Sequence, residues 1–161
     1  MNFFRSIDTS ASGLTAQRLR LDLIANNIAN INTTRTGQTT SAGNQIPYRR
    51  QAAQFVARSP ETNFASLLDN KMGVITTGNG VQVSSISEDQ SPFRLEYNPD
   101  SPDAVKVAEE GIPAGYVRQP NVNIVTEMVD MISASRAYEA NVTVLNNSKA
   151  MAQKALEIGK G

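Results

Sequence analysis

The side chains that most often carry chemistry are missing here: none of the 161 residues is His or Cys. That excludes thiolate and imidazole nucleophiles, Ser–His relays, disulfides and the usual zinc sites. Carboxylates remain. Glu88 with Asp89, or Asp100 with Asp103, could be imagined as an acid/base pair or as calcium ligands. Neither has the spacing of a calcium-binding loop or the Gly such a loop needs, and solvated turn carboxylates account for both. Gly78-Asn79-Gly80 reads as a turn, because no Lys or Ser/Thr follows in the register of a phosphate loop. No catalytic constellation is left. The chain reads as a non-enzyme with no cofactor and no metal.

Asparagine is the polar residue that recurs with a pattern. Asn26, Asn27, Asn30 and Asn32 crowd near the start of the chain, and Asn141, Asn146 and Asn147 near its end. One reading is polar filler facing solvent. The other is that some amides face a neighbouring helix and set its register, as a buried Asn does in coiled coils. Asn27 and Asn30 are the candidates for that role.

Two long elements must position these residues. Asn121 to Ile158 contains no Pro and no Gly. Alternate steps of four and three from Ile124 reach Met128, Met131, Ser135, Tyr138, Val142, Leu145, Lys149, Ala152 and Leu156, mostly apolar, as in a coiled-coil seam. Asn123 suits the N-cap, Glu127 the first turn and Gly159 the stop. The same stepping near the N-terminus reaches Phe4, Ile7, Ala11, Leu14, Arg18, Leu21, Ala25, Ile28 and Asn32, with Asn2 as a cap. The expected architecture is α+β: terminal helices paired as an antiparallel coiled coil around a small β-rich insert. The expected divisions are an N-terminal helix over 1–32, loop and insert over 33–120, and a C-terminal helix over 121–161.

The apolar stripes are wider than one pair of helices needs. Ile124, Val125, Met128, Val129, Met131 and Ile132 cover over half of their helix's circumference, whereas a two-helix seam uses about two residues in seven. The surplus implies further neighbours. The candidate assembly interface is Leu14, Leu21, Ala25, Asn27, Ile28 and Asn30 on the first helix, with Met128, Met131, Tyr138, Val142, Leu145 and Ala152 on the last.

Between the helices, residues 33–47 are small and polar, a loop expected to tolerate trimming of part of 36–45. Tyr48 to Arg58 suits strand or short helix, and Glu61 to Met72 a short helix stopped by Gly73. Val81, Val83 and Ile86, then Phe93, Leu95 and Tyr97, alternate with polar residues as strands do, the first set following a Gly78–Gly80 hairpin turn. Lys plus Arg and Asp plus Glu are 15 each, so nothing draws the chain to nucleic acid. No cleavable signal peptide and no membrane span are evident.

The run GLTAQRLRLDLIANNIANINTT, with its Asn26–Asn30 segment NNIAN, resembles the N-terminal motif of bacterial flagellar rod and hook proteins. SEDQSPFRLEYNPDSPDA and GYVRQPNVNIVTEMVDMISASRAYEANVTVLNNSKAM resemble the proximal-rod members of that family. The resemblance implies a structural subunit of a hollow rod that transmits motor torque and encloses the export channel. It implies passage through the flagellar type III export apparatus without a cleaved signal, and assembly in the periplasm. The implied partners are copies of the chain, other proximal rod subunits, the rod–ring adaptor and the distal rod. The competing readings are another axial rod protein and a coiled-coil oligomerising adaptor.

Overall fold

The computed structural model describes residues 3–58, 68, 71, 79–109 and 111–159. Helix α1 is Phe3–Ala29, followed by strands β1 (Gln51–Ala57), β2 (Val81–Glu88), β3 (Arg94–Tyr97) and β4 (Tyr116–Gln119), and then helix α2, Ile124–Ile158. The fold is α+β, with long terminal helices and two small two-stranded sheets, β1 with β2 and β3 with β4. Tyr48–Arg58 therefore resolves as strand over most of its length. Of the helix expected over 61–72, only Leu68 and Lys71 lie within the described residues, and both are helical.

Helix α2 begins where its sequence says it should. Asn123 Oδ1 accepts from the backbone N–H of Val125 at 3.0 Å and of Thr126 at 3.4 Å, satisfying donors that the first turn cannot. Its 35 residues make a rod roughly 50 Å long. The N-cap expected at Asn2 lies outside the described residues.

The chain forms two compact units. The first holds 1–21, 53–85 and 132–161; the second holds 22–52 and 86–131. Among the described residues of the first unit, Ser10, Ala16, Ala134 and Ser148 are buried. All are small, so helix backbones can approach closely. A Cβ on Gly13 would stand 3.1 Å from the Asn141 amide, which explains the glycine inside α1 despite its cost of about 1 kcal/mol. Gly80 has φ +95°, and a Cβ there would overlap Ser12 Oγ, the atom that accepts Val81 N–H at 3.1 Å.

The seam of α2 runs one residue aside from the apolar stepping. Buried or half-buried positions recur at Glu127, Met131, Ala134, Asn141, Leu145, Ser148 and Ala152, with Tyr138 just exposed at 37%. Met131, Tyr138, Leu145 and Ala152 are shared with the apolar stepping. Glu127, Ala134 and Ser148 are buried beside Met128, Ser135 and Lys149 of that stepping; Met128 and Lys149 are exposed, while Ser135 and Val142 are half-buried, as Asn141 is. As α1 advances from Gly13 to Asn27, its contacts on α2 go back from Asn141 to Glu127, so the pairing is antiparallel.

In the second unit, Leu23, Ile24, Val105, Val117 and Val122 form the apolar core. β3 pairs antiparallel with β4, Arg94 opposite Gln119 and Tyr97 opposite Tyr116, whose rings meet edge to face at 5.1 Å. The 33–47 segment is no loose loop. Thr39 bridges Gln45, Asn44 is buried, and Asn44 Nδ2 donates to Val107 O while its Oδ1 accepts Lys106 N–H. Trimming through Asn44 would leave buried polar groups unpaired, which weighs against the expected tolerance.

Candidate functional site

A buried polar cluster of the second unit lies where α1 ends, β1 begins and α2 starts. Its centre is Asn27, 1% exposed. Asn27 Nδ2 donates to Gln51 O at 2.9 Å and to Glu127 Oε2 at 3.0 Å. Its Oδ1 accepts from Gln51 N and from Tyr48 Oη, both at 2.9 Å. Asn27 thus holds both backbone groups of Gln51, as a neighbouring strand would, and clasps β1 to the end of α1.

Glu127 is fully buried, with 0% exposure. Arg50 Nε donates to its Oε1 at 2.6 Å and compensates the charge. Arg50 Nη2 also donates to Asp130 Oδ2 at 3.2 Å. The backbone of Arg50 is fixed too: its N–H donates to Asn121 Oδ1, and its carbonyl accepts Asp89 N–H. Asn121 Nδ2 returns to Asp89 O at 2.9 Å. The guanidinium of Arg49 lies 4.2 Å over the Phe93 ring. Burial raises the Tyr48 pKa above 10, with help from the Glu127 and Glu88 charges, so the hydroxyl stays a donor.

A second cluster surrounds Glu109. Thr40 Oγ1, Asn44 Nδ2 and Ser41 Oγ donate to its carboxylate, and those bonds, Thr40 first, hold its pKa below the ordinary value. Asp103 is bound by Thr34 and Arg35; partial burial opposes ionisation, yet the two bonds keep its pKa lowered. Asp89 is lowered chiefly by the Ser91 hydroxyl. These carboxylates are acceptors occupied by structure. Among the described residues no group of three or more metal-ligating side chains occurs.

The residues put forward for assembly are spread along both helices. Leu14, Leu21 and Ile28 are half-buried, and Ala25 is exposed. Met131, Val142, Leu145 and Ala152 are half-buried, while Met128 and Tyr138 are exposed. Of the two asparagines, Asn27 reaches the other helix. Asn30 stays on its own: its Nδ2 donates to Asn26 O and Oδ1, and its Oδ1 accepts Thr33 Oγ1. Tyr48, Arg50 and Asn121 carry no periodic signal and were not among the candidates. Glu127 was legible as a first-turn acid, but its burial was not.

Two family models match the chain, one over each helix: Flagella basal body rod protein at residues 7–35, and Flagellar basal body rod FlgEFG protein C-terminal at residues 114–158. The flagellar basal-body rod protein FlgC of Bacillus subtilis is 48% identical over 99% of this chain and 100% of its own length. The chain belongs to the FlgC family of flagellar basal-body rod proteins. FlgC of Borreliella burgdorferi is 49% identical over the full length of both chains, and FlgC of Salmonella typhimurium 36% identical over 99% of this chain and 100% of its own. Both clasping helix ends of this FlgC-family chain, Asn27 on α1 and Glu127 on α2, fall inside the matched segments.

Proposed function

We propose that the chain is a structural subunit of the flagellar basal-body rod, placed in its proximal part. It polymerises through α1 and α2 into a hollow shaft that carries torque and surrounds the export channel. The observation that carries this, beyond family membership, is the apolar surface left on α2. Ile124, Val125, Met128, Val129 and Ile132 are each between 46% and 66% exposed on consecutive turns of one helix. A contiguous apolar patch of this kind marks a contact surface. Of the twelve candidate residues from Leu14 to Ala152, all but Asn27, which is buried within the chain, are the proposed contacts with copies of the chain and with the neighbouring rod subunits, the rod–ring adaptor and the distal rod.

No helix among the described residues is long and apolar enough to cross a membrane. The reading places the subunit in the periplasm after passage through the flagellar type III export apparatus, with a mechanical rather than a catalytic role. The test is deletion of the gene with complementation by a tagged copy, followed by electron microscopy of purified basal bodies. The expected result is loss of swimming in the deletion and tag density on the rod next to the membrane ring in the complemented strain. Tag density elsewhere, or swimming without the gene, sinks the reading.

A further inference from the structure

Gly80 is the only glycine of the chain that follows an asparagine. In an Asn-Gly step the side-chain amide carbon of the Asn and the backbone nitrogen of the Gly can close a five-membered ring. Other residues hinder that closure through their Cβ, which glycine lacks. The fold here excludes a larger, protecting residue. Gly80 has φ +95°, and a Cβ on it would overlap Ser12 Oγ of α1. Its carbonyl accepts Arg58 N–H at 2.9 Å, and the next N–H, that of Val81, donates to Ser12 Oγ at 3.1 Å. Packing within the first unit therefore fixes a glycine behind Asn79.

The surroundings of Asn79 favour reaction. Arg5 Nη2, from the start of α1, donates to Asn79 Oδ1 at 2.9 Å. A cationic donor on that oxygen makes the amide carbon more electrophilic and stabilises the oxyanion that forms when the carbon is attacked. Among the described residues none accepts the Gly80 N–H, so no hydrogen bond to them must break before this nitrogen acts. Asn79 is half-buried and within reach of water.

We propose that Asn79 is a site of self-modification, converted on the folded chain to aspartate and isoaspartate with Arg5 assisting. The Gly80 nitrogen loses its proton to hydroxide and bonds to Asn79 Cγ, leaving the negative charge on Oδ1 beside Arg5. Collapse breaks the Cγ–Nδ2 bond, and Nδ2 takes a proton from water and leaves as ammonia. Water then opens the succinimide. Breaking the bond from Cγ to the Gly80 nitrogen gives aspartate. Breaking the bond from the Asn79 backbone carbonyl carbon to that nitrogen gives isoaspartate, whose main chain runs through Cγ. Nothing is oxidised or reduced; one water is consumed and one ammonia released. Either product puts a carboxylate at residue 79, so that a hydrogen bond to a neutral amide becomes an ion pair tying α1 to the start of β2.

The test compares the full chain in native buffer with the same chain unfolded in urea, both at one mildly alkaline pH in water enriched in heavy oxygen. Peptide mapping by mass spectrometry follows residue 79, and a mixture of isoaspartate and aspartate identifies the ring intermediate. The folded chain should convert Asn79 at least as fast as the unfolded one. Arg5→Met should slow the folded chain about tenfold, less than loss of a donor from a water-excluded site, and leave the unfolded rate unchanged. An Asn79 that persists in the folded chain while the unfolded chain converts would overturn the proposal, because the fold would then hold Cγ and the nitrogen apart. Equal folded rates for Arg5→Met and wild type would overturn the role of Arg5. Should Arg5→Met not fold, Arg5→Gln takes its place; it keeps a donor without the charge, so a smaller slowing is expected, and an unchanged rate overturns that role equally. The wild-type comparison needs neither variant, and no arm of the test depends on the rod reading.

Discussion

Asn27 uses all the hydrogen-bonding capacity of its amide: two donors to Gln51 O and Glu127, and two acceptances from Gln51 N and Tyr48. No other side chain offers that pattern at that length. Asn27→Ala should lower unfolding free energy by about 1–3 kcal/mol, read by urea denaturation, because buried partners are left unpaired. Asn27→Asp should cost more at neutral pH, since the introduced carboxylate faces the Glu127 carboxylate and the Gln51 carbonyl, both acceptors. Its extra deficit should shrink as pH falls and the introduced group protonates; a deficit that grows instead refutes the clasp geometry. The native carboxylates give a separate signature. Asp89, Asp103 and Glu109 have folded pKa values below their unfolded values of 3.8, 3.8 and 4.5. The stability they contribute is complete above those values and lost as pH falls through the folded ones. Tyr48 acts with the opposite sign: its raised pKa gives stability present below about 10 and lost as pH climbs through the folded value. The urea midpoint should therefore drop at both extremes, and a flat profile from about pH 6 to about pH 3 contradicts the acidic half.

At the level of elements, both helices were legible from their three-to-four spacing, and the start of α2 also from its Asn123 cap and the absence of Pro and Gly. The seam register was not. Apolar stepping selects Met128, which is exposed, whereas the inner position there belongs to Glu127, a charged residue that pattern reading assigns to the surface; at the next stretch Asn141 and Val142 are both half-buried. Apolar residues on α2 are numerous enough to supply an outer face as well, so hydrophobicity alone cannot say which stripe turns inward. Strands were legible from alternation, with one slip: Ile86 sits on the face opposite Val81 and Val83 and is 50% exposed. The 33–47 segment looked like filler because its contacts are made by small polar side chains to distant residues, Asn44 to Val107 and Thr34 to Asp103 among them. The position where both registers agree gives the clearest test. Leu145 is half-buried in the first unit, and Leu145→Asp replaces apolar contact with a carboxylate that has no evident partner. The cost is about 2–3 kcal/mol from lost burial and desolvation. Cells carrying it should export the subunit and fail to build a rod. Glu157→Lys should be nearly silent, because it removes only the exposed pair with Lys154. Normal swimming by Leu145→Asp cells would show that the seam does not run through that position.

Across the whole molecule, order should be graded along α2 before assembly and uniform after it. At its start α2 is held by a buried Glu127 that meets Arg50 and Asn27, and at Ala134 by a residue with no exposed surface. Beyond Ser148 the support ends: Met151, Leu156 and Ile158 are 63%, 73% and 82% exposed. The last turns have an exposed Lys154–Glu157 pair and no buried side chain among residues 149–159. Such a segment has little tertiary packing, and isolated turns of helix are marginal in water. Hydrogen exchange on the dilute, monomeric chain should therefore show slow amides around 127–141 and fast ones over 149–158. The same amides should become slow in isolated basal bodies, where neighbouring subunits cover the apolar residues. The difference should be largest at the C-terminal end of α2 and small at its clasped start, because only the former gains its packing from other chains. Equal protection along α2 in the monomer would mean that the helix is stable by itself. Fast exchange that persists in the assembled rod would mean that its C-terminal end is not a contact surface.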